Sequence, residues 1–202
     1  MPVLVLVTVA IVAHVIAPDI VIFYESEEGG QRPLGIAELL SWLIALGIAH
    51  AAMPRFYLWV TLGAERTRWH ALLCSVAVML IPSIIYLVIR VPDSMMEQGM
   101  SSLPIVGNVI ISAALTVITF SVFGPVFGTL AWAGFMWVIV DLQARNIALA
   151  YLPLTWTWIA GNDGSVSFDM AWRIPWIVSM PIVALLTAYR TRMIPPRARG
   201  RL

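Results

Sequence analysis

The sequence predicts an all-α fold: a polytopic transmembrane helical bundle of about six spans, or seven, forming a single domain over residues 1–202. Three observations predict it. Hydrophobic residues make up 60% of the chain and charged residues 11%, where a soluble domain carries about 25% charged residues. The apolar runs are long, and roughly 20 residues at 1.5 Å each cross about 30 Å of hydrocarbon. The arginines gather in one set of connections and the acids in the other, as they do in membrane proteins. Mean hydropathy is +0.90, and a net charge of +1 argues against a nucleic-acid partner. The lone Cys74 excludes an intrachain disulfide and reads as a packing residue.

Pro2–Tyr24 is the first expected span, with Pro18 kinking or ending its helix because proline removes a donor and clashes with the preceding turn. No basic residue precedes this run, so it reads as a retained span rather than a signal peptide. Glu25–Pro33 is an acidic loop with Gly29-Gly30 for its turn. Leu34–Leu62 is the second span, long enough to expect tilt or a kink near Pro54. Gly63–Arg68 reads as a short polar turn, Trp69–Val91 as the third span and Pro92–Ser102 as a polar loop.

Leu103–Asp141 is apolar throughout, and as one helix would measure roughly 58 Å, too long for one crossing. Gly124-Pro125 offers the break, giving spans over 103–123 and 125–141. Gly124 and Gly128 also have the spacing that lets helices approach closely. Ile174–Tyr189 is the sixth span and 190–202 a basic tail. A seventh span over 146–160 would put that tail outside, so this stretch reads as interfacial or re-entrant. Arg66, Arg68, Arg190, Arg192, Arg197, Arg199 and Arg201 face a single acid, Glu65, on their side. Both termini are therefore expected in the cytoplasm, with the chain integral to the cell membrane.

No phosphate loop, HExxH, CxxC or GxSxG appears. Polar groups at membrane depth are then the candidates. His14, Asp19 and Glu38 flank the acidic loop, with Glu25, Glu27 and Glu28 solvated in it and Arg32 beside them. Imidazole and carboxylate suit a transition metal or a proton relay, or simply interhelical hydrogen bonds. Glu38 is the sharpest of the set, lying just inside the second span. A second candidate is the loop with Asp93, Met95, Met96, Glu97 and Met100, a weak copper contact because thioethers select Cu(I), or else a packing surface for a partner. His50 reads as an interhelical hydrogen bond and His70 as a solvated rim residue.

Asp19–Tyr24, Phe56-Tyr57-Leu58-Trp59 with the basic turn and Trp69, and Val106–Trp137 with its GTLAWAGFMW run form a pattern over about 120 residues. This pattern resembles the mainly packing membrane subunit of the copper membrane monooxygenases, the particulate methane and ammonia monooxygenase family. The Asp19–Phe23 spacing is one residue longer than in the family. Asn108 or Ser112 stands where the later span usually carries Asp, and the chain is shorter before its last span. The resemblance implies an assembly with two other membrane subunits, repeated threefold in lipid. That assembly hydroxylates methane, short alkanes or ammonia with O₂, using copper held by the partner subunits. The role implied for this chain is mainly packing, and no metal ligand carries over to it. Two alternatives come from other classes: the membrane subunit of a small-solute transporter, and a haem or quinone electron-transfer subunit.

Overall fold

The computed structural model describes Thr8 and residues 21–25, 31–59, 64–90, 103–145 and 173–193. These form a helical bundle with a small β-hairpin at one end. Strands β1 (Val21–Glu25) and β2 (Gln31–Gly35) pair antiparallel, with Phe23 opposite Pro33 and Tyr24 opposite Arg32. The hairpin corrects two expectations, since 21–24 does not extend the first span and 31–33 is not loop. Val-Ile-Phe-Tyr is a β-branched and aromatic run that suits a strand better than a helix end. The lack of a backbone donor at Pro33 is tolerable in a two-stranded ribbon, where each strand has an open edge.

Four helices follow: α1 (Ile36–Trp59), α2 (Ala64–Arg90), α3 (Leu103–Ala144) and α4 (Arg173–Thr191). Helix α1 is assigned straight through Met53-Pro54. Helix α2 begins at Ala64, with Glu65 in its first turn, so most of the expected Gly63–Arg68 turn is helix. An acid there faces the positive end of the helix dipole, which favours starting the helix early.

Helix α3 is two helices joined at Gly124, whose φ of 81° and ψ of 177° are essentially restricted to glycine. Pro125 lacks an N–H and disfavours helical geometry in the residue before it. It therefore ends the first half and opens the second, the position where proline is best tolerated. The second half doubles back. Trp132 Nε1 lies 3.3 Å from the Ser112 carbonyl oxygen, whereas twenty residues of unbroken helix would span about 30 Å. A Cβ on Gly128 would lie 2.9 Å from both Phe120 Cδ1 and the Thr119 carbonyl oxygen. Gly124 thus makes the turn and Gly128 the close approach.

Helix α1 and the first half of α3 run parallel and in register. Glu38 meets Asn108, and twelve residues further along each helix His50 meets Phe120. Helix α4 runs the same way, because a Cβ on Gly107 would meet Ile177. The starts of α1, α3 and α4 therefore share one end of the bundle. The opposite rim joins the start of α2 to the end of α4, where Arg68 stacks over Tyr189. Helix α3 is the centre: 67% of its apolar window is buried, against 39% for α2 and 11% for α4. Ala113, Ala114, Val117 and Phe120 form one buried cluster there with Trp42, Ala45 and Ala49 of α1 and Val78 of α2.

The apolar stretches Glu65–Val88, Val106–Leu142 and Ile174–Thr191 are long enough to cross a membrane, and the middle one is the doubled-back pair. Away from the charged rim their exposed side chains are mostly apolar, among them Leu73, Leu80, Ile84, Val126, Leu130, Val178, Ile182 and Leu186. Inside, hydroxyls turn back onto their own helices. Ser75 donates to the Ala71 carbonyl, Ser83 to Met79, Thr116 to Ser112 and Thr119 to Leu115, all at 2.7–3.0 Å. Where no water reaches, a hydroxyl without such a partner is costly. Ser83 follows Pro82, and its hydroxyl bonds the Met79 carbonyl, one residue beyond the Val78 carbonyl that loses its helical donor to the proline.

Candidate functional site

Glu38 lies in the first turn of α1 and is 4% exposed. Asn108, in the second turn of α3, is fully buried and donates from Nδ2 to Glu38 Oε1 at 2.9 Å. The carboxylate lies at the positive end of the α1 dipole, which favours negative charge. One turn further along α3, the carbonyl and hydroxyl oxygens of Ser112 both accept from Trp132 Nε1 at 3.3 Å. The Trp132 ring stands edge-on to Trp42, with centroids 6.4 Å apart and planes at 82°. Trp42 is one turn beyond Glu38, so the set closes on itself around α1 and both halves of α3. Ser41 and Thr116 are buried beside it in sequence. Trp42 Nε1 is buried with no hydrogen-bond partner among the described residues.

This arrangement ties helices together. It offers one carboxylate, one amide, hydroxyls and indoles, which suit hydrogen bonding rather than a soft metal. Among the described residues no three His, Cys, Asp or Glu side chains converge. These residues do not fit a copper ion.

Of the sequence candidates, Glu38 is in the interior, held by an amide of the same chain. His14 and Asp19 lie outside the described residues, as do Glu27, Glu28 and the loop with Asp93, Met95, Met96, Glu97 and Met100. The 146–160 stretch and the tail beyond Met193 also lie outside them. Glu25 is exposed at the end of β1. His50 corrects an expectation, because its Nδ1 donates to the Leu46 carbonyl of its own helix at 3.1 Å rather than across helices. Its link across helices is an edge-on contact with Phe120, 4.8 Å between centroids.

Sequence reasoning missed Trp42 and Trp132, and named Asn108 and Ser112 only as departures from a family pattern. The signal was available as spacing. Glu38 and Trp42, like Asn108 and Ser112, are four apart and share one helix face. No family model, curated protein or solved structure matches the chain.

Proposed function

We propose that this chain is an integral membrane subunit whose main task is to hold an assembly together. In this reading it has six spans, with both termini in the cytoplasm. The assembly is a copper monooxygenase of three kinds of subunit in threefold arrangement. It hydroxylates a small apolar substrate, such as methane or a short alkane, or ammonia, with O₂, and the partners hold the copper. The observation that supports a structural rather than chemical role is the Glu38–Asn108 bond, which uses the buried carboxylate to join two helices of this chain. Such bonds supply specific association where lipid removes the hydrophobic drive between helices. The monooxygenase assignment rests on the sequence resemblance.

A second reading, a small-solute transporter subunit, draws on the helix broken at Gly124 and the carboxylate in the bundle interior. Broken helices and intramembrane acids line transport sites.

Purification of the tagged chain from its native membrane in mild detergent separates the readings. Mass spectrometry is expected to find two further membrane subunits, and elemental analysis to find copper in the complex. An ATPase partner favours the transporter. A stable, copper-free chain without partners contradicts the monooxygenase reading.

A further inference from the structure

At the rim opposite Glu38, the start of α2 and the end of α4 bring arginines and aromatic rings together. We propose that this rim binds the headgroup of an anionic phospholipid, with Arg68 as the central contact. The proposal rests on the membrane reading of the fold and is independent of the monooxygenase assignment.

The guanidinium carbon of Arg68 lies 5.2 Å from the centroid of the Tyr189 ring. That contact holds the side chain in place through its cation–π attraction. Arg68 Nε is buried and has no hydrogen-bond partner among the described residues. A guanidinium carries five N–H donors and accepts nothing, so an oxyanion at the rim would be met by its terminal nitrogens, with the buried Nε fixing the side chain's position. Arg66 and Arg190 are exposed at the same rim and Arg192 is half-buried, while Glu65 is the acid nearest in sequence. Residues 192 and 193 both adopt left-handed backbone geometry, with φ of 54° and 53°. There the chain leaves the helix and seats the buried Met193 against the Ser75 hydroxyl, sulfur to oxygen 3.7 Å. The arginines of the helix end are thereby held beside α2.

A lipid fits better than a free anion because an apolar surface continues below the charges. Trp69 is 62% exposed and Tyr189 42%, a pair of amphipathic rings suited to headgroup level. Leu73, one turn beyond Trp69, and Leu186, one turn before Arg190, are also exposed and lie toward the acyl chains. Basic pockets between helices at the cytoplasmic face are a recurring form of anionic-lipid site.

The test is native mass spectrometry of the detergent-purified full chain, or of its complex, with phosphatidylglycerol, phosphatidylcholine or inorganic phosphate added. Phosphatidylglycerol is expected to be retained in preference to phosphatidylcholine, with inorganic phosphate not competing. Retention is expected to weaken about fivefold for each arginine neutralised in Arg68→Gln and in Arg190→Gln. Arg68→Lys is expected to weaken it less, and Arg145→Gln, at a site paired with Asp141 instead, not at all. The exposed Arg190 keeps the test open if Arg68→Gln fails to fold. Equal retention of both lipids, retention unaffected by either neutralisation, or competition by phosphate would overturn the proposal. A chain that leaves the membrane without detergent would instead contradict the membrane reading beneath it.

Discussion

Glu38 and Asn108 bond each other in the bundle interior. Interhelical hydrogen bonds within membranes average about 0.6 kcal/mol and reach about 1.7. A double-mutant cycle on Glu38→Ala and Asn108→Ala, followed by unfolding in mixed micelles, is expected to give a coupling energy in that range. Each single variant should cost about 1–3 kcal/mol, because it removes a hydrogen bond from a buried polar group. Glu38→Gln retains an oxygen for Asn108 Nδ2 and should be milder than Glu38→Ala. Additive single effects would show that the 2.9 Å contact contributes nothing. Glu27→Gln, at a residue placed in the solvated loop by the sequence, should shift stability by no more than about 0.5 kcal/mol. Glu38 was legible in the sequence because a carboxylate just inside an apolar run needs a partner. Which residue that partner would be was not legible. Asn108 lies seventy positions away, and the distance is closed by helix register, which no local pattern encodes.

At the scale of elements, the Gly124 turn is the feature most open to test. An alanine at Gly124 must adopt a backbone region that side chains avoid, a strain of about 1–3 kcal/mol. Gly128→Ala pushes a methyl to within 2.9 Å of Phe120 and the Thr119 carbonyl, and overpacking of this kind costs about 1–3 kcal/mol. Gly134→Ala is the control, since nothing lies within 4 Å of its added Cβ. It should be neutral or stabilise by up to about 1 kcal/mol through helix propensity. Thermal unfolding of the three variants should lower the midpoint for the first two alone, and a fall at Gly134 as large as at Gly128 would contradict the doubled-back packing. The break itself was readable, because a run too long for one crossing contains Gly-Pro where a turn is needed. Placing β1 in the first span failed for a complementary reason. Val21–Tyr24 is apolar enough for membrane or strand, and pairing with 31–35 decides between them.

For the whole molecule, the contacts sort the helix ends into two groups. Glu38, Asn108 and Ile177 stand toward one end, and Arg68 and Tyr189 stand at the other. That sorting agrees with the arginine pattern at 66–68 and 190–192 while leaving open which end faces the cytoplasm. In the orientation proposed from the arginine excess, the second group lies inside. Cysteine accessibility in intact cells tests the assignment most directly, with Cys74 first replaced by alanine. A membrane-impermeant maleimide is expected to label Gln98→Cys from outside and to label Ala198→Cys only after the membrane is opened. Labelling of Ala198→Cys and not Gln98→Cys in sealed cells would invert the bundle, and equal labelling of both would contradict the six-span arrangement by requiring an even number of crossings between them, as a seventh span over 146–160 would give.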